Sequence, residues 1–184
     1  MELRLKKRDV LKKSATKRAR AMGDIPAVLY GKGQDNQNVM VDGKAFRKHL
    51  QTIPKGQLAT QVFDGEIEGT KVQILVKDIS YHRVTYQIQH LDLQVVQSED
   101  SVLVHIPVVY KGEDRCPGVT QGGYIKLVRR SVPVQLPVKE LKPAFELDVS
   151  RLNLGDSLRI QDLALTEHMC IHLDQKLVLL TIGK

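Results

Sequence analysis

Short segments in which apolar and polar residues alternate recur along most of this 184-residue chain, and they constrain its fold more than any other feature. Near the start, Leu3 and Leu5 point to one side of an extended segment, while Arg4 and Lys6 point to the other. The same signals predict strands over 2–8, 25–30, 39–41, 58–63, 70–79, 85–96, 101–110, 124–138, 145–149, 157–160 and 177–182. The pattern therefore predicts a mainly β (α+β) fold.

One short helix is predicted close to the N-terminus. The segment 16–22 begins with Thr16, a suitable N-cap, and stops before Gly23, a residue typical of helix C-termini. Arg18 and Arg20 would then lie near the start of the helix, where the helix dipole disfavours cations. This conflict suggests that these charges serve a partner rather than the helix.

A second short helix is predicted over 43–51. Asp42 is its expected N-cap, and Phe46 and Leu50 lie four residues apart on one face. One or two short helices among many short strands are typical of a small barrel. The first half of the chain is therefore predicted to form a small β-barrel, closed or nearly closed.

A polar stretch at 97–100 separates two halves of different charge. The first 97 residues hold 17 bases and 10 acids, whereas the remaining 87 hold 11 of each. We expect two domains, 1–96 as a barrel and 97–184 as a second β-rich domain.

All of the surplus positive charge lies in the first twenty residues. They contain nine Lys or Arg and two acids, a surplus of seven that equals the +7 of the whole chain. A neutral body with a basic head favours an anionic polymer as partner. A membrane is disfavoured, because no apolar run approaches the roughly 20 residues of a span and the head lacks bulky apolar anchors. No secretory signal is recognisable and only two cysteines occur, so we expect a cytoplasmic protein.

The densest basic cluster runs from Lys12 to Arg20. Its arginines can donate paired hydrogen bonds to phosphate or to a guanine edge, and its lysines supply point charge. A solvated basic arm is the alternative interpretation of such a run. Aromatic residues are scarce, so recognition of a helical RNA by shape, phosphates and sugar hydroxyls is favoured over stacking on single strands, with DNA left open.

His90 and Asp92 form a second polar group in the segment 85–96. They alternate with Leu91 and Leu93 and therefore share the opposite face of a strand. Such a pair suits acid–base catalysis, or acceptance of hydrogen bonds from base amino groups, or it is simply an exposed polar face.

Several motifs, in this order, resemble a known family. They are Ala15-Thr16-Lys17-Arg18-Ala19-Arg20, Ile25-Pro26-Ala27-Val28-Leu29-Tyr30-Gly31, Val76-Lys77-Asp78-Ile79, Gln89-His90-Leu91-Asp92, Asp148-Val149-Ser150-Arg151-Leu152, Gly155-Asp156-Ser157-Leu158 and Asp162-Leu163. The chain resembles the long, two-domain form of the bacterial large-subunit ribosomal protein family L-twenty-five, also called general stress protein CTC. Each motif alone is weak, but the ordered set is specific.

The resemblance implies a β-barrel domain bound to the loop E region of 5S rRNA and a β-rich second domain. Because the second domain is neutral, we expect it to bind protein or to pack against neighbouring ribosomal proteins. The resemblance implies neither a cofactor nor a small-molecule substrate. The RNA contacts that it implies are Arg8, Lys13, Thr16, Lys17, Arg18, Arg20, Tyr30, Lys77, His90 and Asp92.

The chain also departs from the family pattern. Lys12-Lys13-Ser14 stands where the family often has a glycine-rich segment, and Tyr81 stands where short-form relatives carry a basic residue. Lys17 replaces an arginine, so a paired contact would be weaker at this position.

Two other functions remain open at the level of sequence. One is a stress-related RNA-binding protein outside the ribosome. The other is a metal-binding enzyme that uses His168, Cys170 and His172, which alternate on one predicted strand face but do not match a standard zinc spacing. We expect a non-enzymatic protein.

Overall fold

The computed structural model describes residues 2–8, 13–67, 69–166, 168–171 and 173–184, except for the side chains of residues 13–15 and 34. The chain folds into two compact units, residues 1–100 and 101–184. Most of its regular structure is strand, which confirms the predicted mainly β class.

The first unit is a closed six-stranded barrel with two helices. Its elements are β1 (Glu2–Lys7), α1 (Lys13–Met22), β2 (Ile25–Gly31), β3 (Gln34–Val41), α2 (Gly43–Thr52), a 3-10 turn (Leu58–Thr60), β4 (Val62–Ile67), β5 (Thr70–Tyr81) and β6 (Ile88–Val96). Around the barrel the strands follow the order β1-β3-β2-β6-β5-β4. Two of the pairings, β1 with β4 and β2 with β6, are parallel, and the β1–β4 pairing closes the ring.

Alternate residues of each strand fill the barrel, as the period of two requires. Leu3 and Leu5 of β1, Ala27 and Leu29 of β2 and the facing residues of the other strands are buried in one apolar core. Helix α2 adds Phe46, whose ring centroid lies 6.4 Å from that of Phe63. The residues between the core positions are consequently directed outward.

Helix α2 forms as predicted. The Asp42 carboxylate accepts hydrogen bonds from the N–H groups of Lys44 (2.8 Å) and Ala45 (3.3 Å), which confirms its role as N-cap. Phe46 is fully buried and Leu50 partly buried, so the apolar face meets the core.

Helix α1 begins earlier than predicted. It starts at Lys13 rather than at 16, so Thr16 lies inside the helix and is not its N-cap. Gly23 does end the helix, with φ of +97° and an N–H that donates to the Arg20 carbonyl. The three additional residues at the N-terminus move Arg20 away from the start of the helix. Arg20 lies in the last turn, where the helix dipole favours a cation.

Three strand predictions in the barrel need correction. Strand β3 starts at Gln34 rather than at 39, because the Lys32-Gly33 turn pairs Gly31 with Gln34 in a tight hairpin. The predicted strand 58–63 splits into the 3-10 turn and the start of β4, and β6 starts at Ile88 rather than at 85. Gly65 lies within β4, where a Cβ would overlap the Ile74 side chain in the core, so the position requires glycine.

The second unit contains two small sheets. Its elements are β7 (Ser101–Lys111), a 3-10 turn (Glu113–Arg115), α3 (Pro117–Thr120), β8 (Tyr124–Leu127), β9 (Ser131–Pro137), a 3-10 turn (Val138–Glu140), β10 (Phe145–Asp148), β11 (Ser157–Arg159), a 3-10 turn (Ile160–Asp162), β12 (Cys170–Ile171) and β13 (Val178–Gly183). The strand orders are β10-β7-β9-β12 and β11-β13-β8.

The predicted single strand 124–138 is wrong, because it forms two strands in different sheets. The N–H groups of Val128 and Arg129 both donate to the Leu179 carbonyl at 2.9 and 3.1 Å, which ends the pairing of β8 with β13. The chain then turns and continues as β9, which pairs with β7.

Candidate nucleic-acid interface

One row of outward residues crosses four strands of the barrel. Asn38 of β3 pairs in register with Val28 of β2, which pairs with Asp92 of β6, which in turn pairs with Asp78 of β5. The neighbouring residues of β2 and β6 are in the core, so this row is directed away from it. We call this row, together with Tyr30 and His90, the outer face.

The side chains of His90 and Asp92 contact each other on this face. The His90 Nδ1 lies 2.8 Å from the Asp92 Oδ1, and the side chains are 30% and 44% exposed. Leu91 and Leu93 between and beside them are buried, which confirms the predicted division of the strand into a polar and an apolar face. The carboxylate holds one imidazole nitrogen and leaves the other available to a partner.

Arg8 connects the end of β1 to the outer face. Its backbone N–H donates to the Asn38 carbonyl at 2.9 Å, and its guanidinium donates to the Asn38 Oδ1 at 3.5 Å and to the Thr16 hydroxyl at 3.4 Å. The Nε of Arg8 is buried and finds no acceptor within the described residues. Arg8 therefore links β1, β3 and α1.

Helix α1 is held beside the outer face by a second arginine. The Arg20 Nε donates to the Gln89 carbonyl of β6 at 3.2 Å, one residue before His90. Lys17 and Arg18 lie between the two anchoring points, Thr16 and Arg20, and are exposed. Arg20 thus brings one cation next to the His90–Asp92 pair.

Tyr30 lies on the same face and responds to its carboxylates. Partial burial, and then the negative charges of Asp92 and Asp78, raise the pKa of the Tyr30 phenol above its ordinary value of 10.0. The hydroxyl therefore remains a hydrogen-bond donor at neutral pH.

Lys77 occupies an irregular position in β5. The register between β5 and β6 shifts between Val76 and Asp78, which leaves Lys77 as the extra residue of a bulge. Bulges redirect side chains, and here the lysine is half-buried. Burial lowers the pKa of the Lys77 ammonium below its ordinary value.

The structure brings most of the predicted residues together. Direct contacts join Arg8 to Thr16, Arg20 to β6 and His90 to Asp92. The negative charge of Asp92 also contributes to the raised pKa of Tyr30. The side chain of Lys13, the first residue of α1, lies outside the described part of the chain.

Sequence reasoning missed two members of this surface. Asn38 belongs to a polar segment, 34–38, that lies outside the predicted strands. Asp78 stands inside a family-like motif, but the sequence alone does not single it out as a site residue. Its position directly opposite Asp92 depends on the bulge at Lys77, which has no signature in the sequence.

Two of the three residues of the alternative metal site, His168 and Cys170, lie in the described part of the chain. Cys170 is exposed on β12, which pairs with β9, and His168 lies near a carboxylate of Glu140, whose Oε1 is 3.9 Å from the His168 Nε2. His172 lies outside the described residues. Among those that the structure describes, no group of three His, Cys, Asp or Glu side chains could hold a metal ion.

Fold and surface together define a class of protein. It is a β-rich chain of two units, with a closed barrel and a cation-bearing helix beside the polar outer face. Two family models match the chain. The Ribosomal L25p family matches residues 3–93, and the C-terminal domain of ribosomal protein TL5 matches residues 101–184.

Curated relatives cover nearly the whole chain. The large ribosomal subunit protein bL25 of Chlamydia trachomatis serovar A is 40% identical over 167 residues, which is 91% of this chain and 90% of the relative. The protein of the same name from Wolbachia pipientis subsp. Culex pipiens is 34% identical over 178 residues, or 96% and 86% of the two chains.

The chain belongs to the Ribosomal L25p family, in its long two-domain form. It is a structural protein of the large ribosomal subunit, not an enzyme, and it acts in translation on the cytoplasmic ribosome. In the described part of the chain, no helix has the length and apolar character that a membrane crossing requires.

Proposed function

We propose that the protein binds 5S rRNA, in its loop E region, through α1 and the outer face of the barrel. One observation carries this proposal, namely the hydrogen bond from Arg20 to the Gln89 carbonyl, which fixes the cationic helix next to the His90–Asp92 pair. Phosphate-binding groups and base-reading groups thereby lie side by side, as recognition of a structured RNA requires.

The two sets of groups have different roles in this proposal. The cations of the head and of the β5 bulge bind phosphates and position the RNA without reading its sequence. These are Arg8, Lys13, Lys17, Arg18, Arg20 and Lys77, with the hydroxyl of Thr16 as a short donor.

Selectivity comes from the polar residues of the outer face. The Asp92 carboxylate accepts hydrogen bonds from base amino groups, while His90 and the protonated phenol of Tyr30 act as donors.

The two units have separate tasks in this proposal. Residues 1–96 form the RNA-binding domain, and residues 97–184 contact neighbouring components of the large subunit. Residues 97–184 have equal numbers of acids and bases and expose Tyr124 and Val128, at 55% and 52% of their areas, which suits a protein surface better than phosphates.

A double substitution in α1 tests the assignment. In the full chain, Arg18→Ala with Arg20→Ala removes two cations, and the second also frees the helix from β6. We expect affinity for 5S rRNA to fall at least about tenfold, as charge-assisted contacts of ~1.5–3 kcal/mol are lost. Filter binding or fluorescence anisotropy at one fixed salt concentration measures the loss.

The matched control is Arg129→Ala with Arg130→Ala in the second unit, which removes the same charge. We expect this variant to bind 5S rRNA as the unchanged chain does. Equal losses from the two double variants would contradict the proposal. Recovery of messenger or transfer RNA instead of 5S rRNA from cells would favour a stress-related RNA-binding function.

A further inference from the structure

The turn that joins β5 to β6, residues 82–87, is held in a defined conformation by His82. The His82 Nδ1 accepts hydrogen bonds from the N–H groups of Val84 (3.3 Å) and Thr85 (3.2 Å), and the His82 carbonyl accepts one from the Tyr86 N–H at 2.9 Å. The His82 N–H donates in turn to the Gln87 carbonyl at 2.8 Å. We call this segment the β5–β6 tip.

Tyr86 has an unusual backbone conformation in this tip. Its φ is +54°, in the left-handed region, and it is the only residue other than glycine with a positive φ among those that the structure describes. Glycine or asparagine normally occupies such a position, because a bulky side chain strains the backbone there. The conformation directs the Tyr86 ring outward, and 78% of the residue is exposed. Burial of the ring in the core therefore does not offset the backbone strain.

The tip also has a charge suited to RNA. The segment 81–87 contains Arg83 and His82 but no acid. Tyr81, the last residue of β5, is also 48% exposed and directly precedes the tip, so aromatic surface lies on both sides of Arg83 along the chain. Aromatic faces next to a cation are typical of platforms on which nucleobases stack.

The tip is continuous with the proposed RNA-binding surface. Strand β6 runs directly from the tip to Gln89, whose carbonyl anchors Arg20, and then to His90. Tyr86 precedes His90 by four residues, so their Cα atoms lie at most about 13 Å apart. An RNA bound at His90 and Arg20 would thus extend over the tip.

We infer that the Tyr86 ring stacks on an unpaired nucleobase at the edge of the RNA site, and that this contact adds to the affinity for 5S rRNA. The inference rests on the proposed function and extends its surface by one residue. Three observations carry it: the strained backbone that exposes the ring, the acid-free tip and the continuity with Arg20 and His90.

Substitution of Tyr86 separates binding from folding. In the full chain, Tyr86→Gly removes the ring and also relieves the backbone strain, so thermal unfolding should occur at an unchanged or higher temperature. Affinity for 5S rRNA should nevertheless fall on the order of tenfold, within the range that stacking of one base supports. Tyr86→Phe keeps the stacking surface and should bind as the unchanged chain does.

Val84→Gly is the matched control, because it introduces glycine into the same tip without loss of a ring. It should leave the affinity unchanged. Chemical probing of 5S rRNA in the complex should show one unpaired base that is protected by the unchanged chain and by Tyr86→Phe, but not by Tyr86→Gly.

Unchanged affinity in Tyr86→Gly overturns the inference, as does a loss in Tyr86→Phe equal to that in Tyr86→Gly. If Tyr86→Gly binds normally while Arg18→Ala with Arg20→Ala binds weakly, the inference fails and the proposed function stands. If the unchanged chain does not bind 5S rRNA, the proposed function itself fails.

Discussion

The phenol of Tyr30 reports on the electrostatics of the outer face. Because burial and the charges of Asp92 and Asp78 raise its pKa, the folded state holds the phenolic proton more tightly than the unfolded state. The associated stability is present below pH 10.0 and is lost as the pH rises through the higher pKa of the folded state. We expect Asp92→Asn to lower the pKa of Tyr30 toward 10.0, measured by ultraviolet titration of phenolate in comparison with Tyr30→Phe.

The control for this titration is Asp148→Asn. Asp148 lies in the second unit, where its carboxylate accepts a hydrogen bond from the Ser150 N–H at 2.9 Å. Its neutralisation should leave Tyr30 unchanged. A Tyr30 pKa that is insensitive to Asp92→Asn would show that the phenol does not respond to this carboxylate.

Individual site residues differ in how far the sequence could predict them. The shared face of His90 and Asp92 follows from the period of two along a strand. Because Leu91 and Leu93 are buried, the residues that alternate with them must lie on the opposite face. The contact between Arg8 and Asn38 spans 30 residues and depends on the register of β1 against β3. Register depends on pairing across the whole barrel, which no local pattern specifies.

The two helices of the barrel unit meet through their ends. Gly23 ends α1, and Gly43 begins α2 so close to it that a Cβ at Gly43 would overlap the Gly23 carbonyl oxygen. Gly43→Ala should therefore lower the free energy of unfolding of the barrel unit by at least about 1 kcal/mol, although alanine is the better helix former. Urea denaturation of the full chain measures the change.

Gly183→Ala is the comparison for this substitution, since a Cβ there would make only an ordinary contact with Tyr124. The expected change in stability is small. If Gly43→Ala were as stable as Gly183→Ala, the close approach of α1 and α2 would be wrong. Because α1 carries Arg18 and Arg20, loss of this junction should also weaken RNA binding.

The sequence predicted the strands of this unit well where apolar and polar residues alternate. It predicted them poorly where a strand consists of polar residues. Strand β5 was predicted over 70–79 and forms over Thr70–Tyr81. Most of β3 was missed because its first five residues are Gln, Asp or Asn, which local propensity assigns to loops. They form a strand because the tight turn at Gly33 brings them against β2, a tertiary effect that overrides propensity.

At the scale of the molecule, the sequence predicted a barrel but not its connectivity. Strands that are consecutive in the chain form antiparallel neighbours in three places, β2–β3, β4–β5 and β5–β6. The ring depends as well on the parallel pairings of β1 with β4 and of β2 with β6, whose partners are far apart in sequence. These pairings follow from closure of the whole sheet, so local patterns could not reveal them.

The distribution of charge over the whole chain predicts how binding responds to salt. The first twenty residues hold the entire surplus of +7, and α1 places part of it beside the outer face. If these cations neutralise phosphates, the logarithm of the association constant should fall linearly with the logarithm of salt concentration, by roughly 0.9 per phosphate on the scale of duplex DNA. Arg18→Ala with Arg20→Ala should reduce this slope by up to about two units, whereas Arg129→Ala with Arg130→Ala should leave it unchanged. Titrations at several salt concentrations measure the slopes, and a slope near zero for the unchanged chain would refute a phosphate-dominated interface.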